Sequence, residues 1–268
     1  MSEDVPPILA NKHYDEASAF TPESLLREAR RQKAMLNEPV PEICILDPDG
    51  DIVRELRKDG RARRHAGWVC YHTDLYGFQD QGVDYGIVGC AVGSSFAVLV
   101  AEELFVSGCK LLISVTSSGQ IVPLQVPPYF ILIERAVRDE GTSYHYLPPS
   151  THSDASERIL AVLEGVFADM PVPVVRGVTW TTDAPFRETA SVIDTMRRNG
   201  LLAVEMEAAA LYAFAKARNK CVVCFAHVTN QMGQIEGDFE KGHANGARDA
   251  LRVVSTAARH LEKLLAQA

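Results

Sequence analysis

The sequence lacks any apolar stretch approaching the ~20 residues that a helix needs to cross a membrane. Its first residues, MSEDVPPILANK, are acidic and contain no apolar core of the kind found in secretory signal peptides. These two absences predict a cytoplasmic protein without a membrane span.

Positive charge is also scarce. The chain has 27 Lys and Arg residues against 35 Asp and Glu residues, which gives a formal net charge of −8. Nucleic acids and anionic membrane surfaces are bound by basic patches. The acidic balance therefore argues against both classes of partner.

Metal-binding and cofactor-binding motifs are missing as well. The eight histidines show no helical pair or compact ligand spacing. GCAVGSS lacks the full spacing and the acidic partner of a dinucleotide-binding loop. Cys221 and Cys224 form a CxxC, but KCVVCFAHV is typical of a buried strand, in which these two side chains face opposite ways. We expect reduced thiols, no metal and no organic cofactor.

The composition is that of a globular domain with a short N-terminal extension. Hydrophobic residues make up 47% of the 268, enough to bury a large core. Residues 1–40 are expected to form an arm and a helix, which begins at Thr21 with a hydroxyl cap, a first-turn proline and an acid. Pro39 and Pro41 end that helix. Residues 41–268 are expected to form a single catalytic domain.

Apolar runs alternate with amphipathic segments from residue 41 onward. The segment 130–146 is ambiguous, and its first half is assigned as a strand because its start is rich in Ile. Strands separated by helices imply crossover connections and a parallel or mixed sheet, with sites at the carboxyl ends of the strands. Strands are predicted at 42–46, 85–92, 110–117, 172–180 and 221–228, and helices at 95–107, 153–170 and 247–265. The corresponding strand ends are 47–51, 91–95, 116–120, 181–187 and 227–231.

The segment 204–211, VEMEAAAL, carries the most specific pattern in the chain. Its alanines favour a helix, and an ordinary helix surface is one interpretation. On a helix, however, Glu205 and Glu207 would not share a face. In an extended segment that leads into the helix, both carboxylates would project the same way into a cleft.

VEMEAAAL, GCAVGSSFAVLVAEEL, LLISVTSSGQI and TTDAPFRET together resemble the nucleoside phosphorylase family, whose members include purine nucleoside phosphorylases, uridine phosphorylases and related nucleosidases. The resemblance extends over roughly Ile43 to Leu264 and is closest to uridine phosphorylase-like members. It implies a three-layer αβα fold with a mixed, partly barrel-like sheet. It also implies a homo-oligomer, a dimer or a hexamer built from dimers, with active sites near subunit interfaces. The implied reaction cleaves the bond between a ribose and a base, with phosphate as the co-substrate.

The resemblance also implies a ribose site. Glu207 matches the family's ribose-binding Glu, whose carboxylate stabilises the positive charge that develops on the sugar. Met206 matches the residue that packs on the sugar, and Glu205 matches the neighbouring acid. Ser117, with Gly119, matches the loop that approaches the ribose and the nucleophile; a plain strand-end turn is the alternative. His13 matches a His that reaches a neighbouring subunit's ribose, although a free His on an arm is the simpler interpretation.

The base site implied by the resemblance comprises Phe186, Arg187, Gly119 and Asn230. Phe186 can stack on a base, and Arg187 can donate to a pyrimidine carbonyl, although a surface salt bridge is equally compatible with Arg187. Purine-specific bacterial members have an Asp where Asn230 stands. Because an amide can form hydrogen bonds but cannot supply a proton as an acid, Asn230 favours a pyrimidine nucleoside or a neutral base.

The phosphate site departs from the family pattern. Arg is the preferred phosphate ligand because its planar fork matches two oxygens. Ser114 and Ile52 stand at two positions where the family has Arg, and a third position, contributed by a partner subunit, falls near Ala66. Nearby carboxylates would repel phosphate at short range. These carboxylates are Asp47, Asp49 and Asp51.

Three functions are compatible with this altered site. Phosphorolysis of a uridine-like pyrimidine nucleoside to base and ribose 1-phosphate ranks first. The candidate phosphate-binding residues are then Gly50, Ser117 and Arg64. Arg54 or Arg64 would replace a missing Arg only with a shifted backbone. The second is a nucleosidase, in which Glu205 or Asp49 activates water. The third is a nucleoside-binding paralogue without catalysis. Base identity, ribose against deoxyribose and the oligomer count stay open.

Overall fold

The structure is a computed structural model and describes residues 5–35, 37–232 and 236–265. Within these ranges, ten strands form one mixed sheet, and seven α-helices accompany it. The strands are β1 (Ile43–Asp47), β2 (Arg63–Arg64), β3 (Leu75–Asp80), β4 (Val83–Gly89), β5 (Leu111–Gln120), β6 (Tyr129–Asp139), β7 (His152–Asp154), β8 (Val174–Thr182), β9 (Ala203–Glu205) and β10 (Cys221–Asn230). The α-helices are α1 (Pro22–Lys33), α2 (Asp51–Lys58), α3 (Ser94–Val106), α4 (Glu157–Val162), α5 (Ala190–Arg198), α6 (Ala208–Arg218) and α7 (Ala247–Leu265).

Part of the sheet closes into a five-stranded ring. The strand order is β10-β6-β8-β9-β5-β1-β4-β3-β2, and a further pairing of β10 with β5 joins β5, β10, β6, β8 and β9 into a barrel. β5 pairs in parallel with β1 and β10 and antiparallel with β9. The expected mixed, partly barrel-like sheet in an αβα fold is therefore confirmed.

Two groups of helices flank the sheet. The helices α1, α3 and α6 pack together in one group, and α2, α4 and α7 pack together in the other. The central strands β1, β5 and β10 are buried along almost their whole length. Burial on both faces explains their nearly continuous apolar runs, because such strands have no solvent-facing positions to fill with polar residues.

The predictions for segments 130–146 and 153–170 have different outcomes in the structure. The strand assigned to the first half of 130–146 is confirmed by β6, which is followed by a short 3₁₀ turn at Thr142–His145. The single helix predicted over 153–170 is wrong. There, β7 pairs with the edge of β6, the short α4 follows, and Gly165 has a positive φ of 70° that a continuing helix does not allow.

The N-terminal helix α1 begins where the sequence predicts. The Thr21 hydroxyl accepts a 3.3 Å hydrogen bond from the Ser24 N–H, and α1 packs on α3. The division into an arm at 1–40 and a domain from 41 onward stays a prediction. No helix in the described ranges is long and apolar enough to cross a membrane.

The parallel strands place three chain segments side by side at one edge of the sheet. Leu46 of β1 is in register with Ser114 of β5, and His227 of β10 is in register with Ser117. The carboxyl ends of β1, β5 and β10 therefore meet, as the sequence predicts for a site built from strand ends.

Candidate active site

The junction between β9 and α6 places two buried glutamates beside each other. Glu205 ends β9, and its Oε2 accepts hydrogen bonds of 2.7 Å from the N–H groups of both Glu207 and Ala208. Its Oε1 accepts from the hydroxyls of Thr179, at 3.2 Å, and Thr181. The carboxylate of Glu205 therefore caps the start of α6, where the helix dipole favours negative charge. The expectation that both acids project together into a cleft is wrong.

Glu207 points toward the loop that precedes α3. Its Oε1 accepts a 2.7 Å hydrogen bond from the Gly93 N–H, and the residue is 1% exposed. Its Oε2 is enclosed and accepts no hydrogen bond of good geometry from the described residues. The Thr116 hydroxyl, which donates to the Ser117 carbonyl at 3.3 Å, is near enough to lower the pKa of Glu207. One carboxylate oxygen is thus fixed, and the other has no partner of its own.

The surroundings of Glu207 disfavour its charged form. Burial, followed by the negative charge of Glu205, raises the pKa of Glu207 to about 8, while the Gly93 N–H opposes this shift. Burial also raises the pKa of Glu205, against the hydrogen bonds from Thr181 and from the start of α6. A strongly raised pKa at a strand end is a common property of catalytic carboxyl groups.

The loop between β4 and α3 holds the segment that carries Glu207. The Ser94 hydroxyl donates a 2.7 Å hydrogen bond to the Met206 carbonyl, and Gly93, at φ 90°, directs its N–H to Glu207. Cys90 in the same loop is exposed and has a positive φ of 64°, an uncommon conformation for a residue other than glycine. The two segments recognised in the sequence, GCAVGSS and VEMEAAAL, are therefore in direct contact.

The aspartate turn, which comprises Asp47, Asp49 and Asp51, lies at the carboxyl end of β1. The Asp47 carboxylate accepts from the N–H groups of Gly50, at 3.2 Å, and Val53, at 2.9 Å, and burial raises its pKa to about 7. Asp49 Oδ2 accepts a 2.9 Å hydrogen bond from the Ser117 N–H and so ties the turn to β5. The turn therefore faces the candidate site.

Two cations face this turn. Arg54 donates to the Asp49 carbonyl at 2.7 Å and to Asp51 Oδ1 at 2.9 Å, with Cys90 Sγ at 3.7 Å. Lys241 Nζ lies 2.6 Å from Asp51 Oδ2 and 3.6 Å from Asp49 Oδ2. Sequence reasoning named Arg54 as a conditional substitute but missed Lys241, which follows β10 by about a dozen positions in a glycine-containing loop.

The segment from Lys241 to Gly246, the Lys241 segment, is packed closely on His227. A Cβ on Gly246, which has φ 74°, would lie 2.1 Å from His227 Cε1 and 2.4 Å from the Lys241 carbonyl oxygen. The His227 ring stacks on Phe130 with centroids 4.5 Å apart. Burial, followed by the charge of Lys241, lowers the pKa of His227 to about 4, so the imidazole is neutral at pH 7.

The predicted base-side residues Gly119 and Asn230 are neighbours across β5 and β10. Asn230 Oδ1 accepts a 2.9 Å hydrogen bond from the Met232 N–H, and its amide group donates to the Thr229 hydroxyl at 3.2 Å. A Cβ on Gly119 would lie 2.4 Å from Met232 Sδ. A larger residue at position 119 would therefore require the Met232 side chain to move.

Other predicted residues lie apart from this cluster or are enclosed. Phe186 is 99% exposed, and Arg187 is exposed and forms no ion pair within the described ranges. His13 lies on the exposed arm, 3.5 Å from Glu16. Arg64 pairs with Asp74 at 2.8 Å on the exposed strand β2. Ile52 and Ser114, the positions where the family has Arg, are buried, and so are Gly50 and Asp47, whereas Asp49 and Asp51 are half-buried.

The arrangement can polarise a sugar. One oxygen of Glu207 has no partner and can accept from a hydroxyl, and Asp49 is near enough for its negative charge to act on Glu207. Within the described ranges, no group of three or more His, Cys, Asp or Glu residues has the geometry of a metal site.

A family model and individual relatives assign the chain to the same family. A model of the phosphorylase superfamily matches residues 42–267. A uridine phosphorylase from Thermococcus kodakarensis is 26% identical over 236 residues, which cover 81% of this chain and 79% of that protein. A purine nucleoside phosphorylase from Plasmodium vivax is 27% identical over 141 residues, which cover 52% of this chain and 58% of that protein.

A solved structure gives the same fold. The crystal structure of uridine phosphorylase from Vibrio fischeri, complexed with 6-hydroxy-1-naphthoic acid, matches with a TM-score of 0.71 at 20% sequence identity. The match covers 85% of this chain and 93% of that chain.

Proposed function

The chain belongs to the phosphorylase superfamily as a member of the nucleoside phosphorylase family, whose enzymes are pentosyltransferases, and we propose that it cleaves a uridine-like pyrimidine nucleoside by phosphorolysis. The products are the free base and ribose 1-phosphate. The observation that carries this proposal is the buried Glu207 carboxyl group, with one oxygen held by Gly93 and the other unpartnered.

In the proposed reaction, Glu207 accepts a hydrogen bond from a ribose hydroxyl. As the bond between the sugar carbon and the base nitrogen stretches, positive charge develops on the sugar, and the ionised form of Glu207 stabilises it. Because the pKa of Glu207 is raised to about 8, the share of this form grows as pH rises toward 8. A phosphate oxygen forms the new bond to that carbon. The electron pair of the broken bond leaves with the base, which takes up a proton. Met206 packs on the sugar, and Ser117 adjoins the nucleophile.

The pyrimidine preference rests on the base side of the proposed site. The Asn230 amide, held by Met232 and Thr229, offers hydrogen bonds and no acidic proton. Phe186 and Arg187 are assigned to base stacking and to a base carbonyl, and Gly119 to close approach. The Thermococcus kodakarensis relative is a uridine phosphorylase, which supports the same preference. A cytoplasmic location and a homo-oligomeric state are further parts of this proposal.

The test is release of base from uridine, thymidine, inosine and adenosine, each with and without phosphate. We expect phosphate-dependent release, fastest from a pyrimidine nucleoside, and a loss of at least ~100-fold in kcat for Glu207→Gln, the size of effect typical for one lost electrostatic stabiliser. The matched control is Glu157→Gln, an exposed glutamate in the first turn of α4. No release from any substrate, together with a nucleoside-induced rise in Tm, would instead indicate a binding protein.

Hydrolysis is the second candidate, and one observation favours it. The cavity between the aspartate turn, Ser117 and His227 has a volume of about 10 Å³, enough for roughly one water molecule. Asp49 is then the base that accepts the water proton, because both oxygens of Glu205 are already bonded. Equal rates of base release with and without phosphate would support hydrolysis and contradict phosphorolysis.

A further inference from the structure

Lys241 occupies a position that the family resemblance does not predict. Its ammonium group bridges Asp51, at 2.6 Å, and Asp49, at 3.6 Å, across 190 residues of sequence. The Asn245 amide adds a 3.4 Å hydrogen bond to Asp51 Oδ1. The segment that follows β10 therefore encloses the aspartate turn through a cation and an amide.

The charges around the turn show what this cation does. Asp49 and Asp51 carry two negative charges, and Arg54 and Lys241 carry two positive charges, so these four groups sum to zero. Burial raises the pKa of Asp47 to about 7, so this carboxyl group is only partly ionised at neutral pH. The neighbouring imidazole of His227 is neutral. Without Lys241, the same four positions would sum to −1.

We propose that Lys241 is a positioning residue for the phosphate nucleophile, because it neutralises the aspartate turn and keeps Asp49 bonded to the Ser117 N–H. This inference rests on the proposed function. A phosphate dianion approaching an uncompensated carboxylate a few ångströms away would be repelled, because like charges at that separation interact unfavourably even where water screens them well.

The contacts of Lys241 favour this indirect role over direct phosphate ligation. Its Nζ is already bonded to Asp51, and its side chain is 26% exposed. Its carbonyl oxygen lies so close to Gly246, which also approaches His227, that no space is left for a Cβ at position 246. The ammonium group is therefore bonded to the carboxylates. It would act on a phosphate anion indirectly, by reducing the net negative charge of the aspartate turn.

The experiment compares Michaelis constants in the full chain. KM for phosphate at saturating nucleoside and KM for nucleoside at saturating phosphate are measured for the wild type, Lys241→Met, Lys241→Arg and the double variant Asp51→Asn/Lys241→Met. Lys58→Met is the matched control, because it removes an exposed lysine that pairs with Glu55 on α2 at 3.3 Å. Circular dichroism checks folding, and Lys241→Gln replaces Lys241→Met if that variant does not fold.

We expect Lys241→Met to raise KM for phosphate about tenfold or more and to leave KM for nucleoside within about twofold, as one uncompensated charge would. The double variant should recover most of the loss, because it removes one charge of each sign, and Lys241→Arg should resemble the wild type. An unchanged KM for phosphate, or a double variant that stays as impaired as the single one, overturns the inference. Absence of phosphate-dependent release by the wild type overturns the proposed function and the inference together.

Discussion

Glu207, the proposed catalytic carboxyl group, lowers the stability of the folded chain at neutral pH. Burial and Glu205 raise its pKa from the ordinary value of 4.5 to about 8. Between these values the unfolded chain has lost the proton and the folded chain still holds it, so this group lowers the free energy of unfolding as pH rises. Stability at a functional site is commonly sacrificed in this way.

The first prediction concerns this cost. Glu207→Gln is expected to be as stable as the wild type near pH 4, and its advantage should grow as pH rises to about 8, where it reaches a few kcal/mol at about 1.4 kcal/mol per pKa unit. Thermal unfolding at intervals from pH 4 to 9 measures the difference. Parallel Tm curves for the two proteins would contradict the raised pKa of Glu207.

The residues of the site differ in how far the sequence reveals them. Glu207 and Gly93 lie in short local motifs, VEMEAAAL and GCAVGSS, so they are predictable, and the structure joins them by a hydrogen bond. Lys241 is not predictable, because its contact with Asp51 depends on how a loop after β10 folds back over β1. Local sequence patterns do not indicate that the loop after β10 contacts the end of β1.

At the scale of elements, the β9–α6 junction depends on the buried Glu205. Its carboxylate receives two N–H groups from the start of α6 and two threonine hydroxyls from β8. The Glu205 side chain thereby fixes the backbone that carries Glu207. A change at Glu205 should affect catalysis through position and not through contact with the substrate.

The second prediction follows from these four bonds. Glu205→Gln replaces an accepting oxygen by a donating NH₂ group that faces other donors, so we expect a loss of about 1–3 kcal/mol in the free energy of unfolding. Urea denaturation measures it, and kcat should fall more than KM for nucleoside rises. Thr179→Val, which removes one of the four donors, should show a smaller loss of the same kind; a neutral Glu205→Gln variant would contradict the capping role.

The third prediction concerns the segment from Lys241 to Gly246. Gly246→Ala is expected to lower both Tm and phosphate-dependent activity, because the added Cβ would meet His227 and the Lys241 carbonyl and would also strain a positive φ. Gly60→Ala is the control, because Gly60 has a similar φ of 69° and no atom within 4 Å of an added Cβ. Equal losses of Tm and activity in both variants would show that backbone strain alone, and not the close contact with His227, causes them.

Most strands were predictable because their burial produces uninterrupted apolar runs. β1, β5 and β10 are examples, and β6 was recognised from its Ile-rich start. The helix predicted over 153–170 failed because the edge of β6 takes up residues 152–154 as a paired strand. Pairing with a distant strand decides that segment, and amphipathic spacing alone cannot reveal it.

At the scale of the whole molecule, the candidate site draws on segments from most of the chain. The aspartate turn, the loop before α3, the end of β5, the β9–α6 junction and the Lys241 segment all meet at one edge of the sheet. Phe186 and His13, by contrast, are exposed in the single chain. A second subunit that covers them would account for both the resemblance and their exposure.

The fourth prediction tests this assembly by complementation. If His13 of one subunit reaches the ribose bound beside Glu207 of another, His13→Ala and Glu207→Gln are each impaired, but a mixed oligomer contains some sites with both native residues. For a dimer, equal mixing should restore roughly one quarter of the wild-type activity, because half of the random dimers have one intact site in two. Activity is measured after subunit exchange, and sedimentation velocity should give a multiple of 29.4 kDa. If the mixture has only the mean activity of the two variants, or if His13→Ala is fully active, His13 acts in no neighbouring site and the arm serves another purpose.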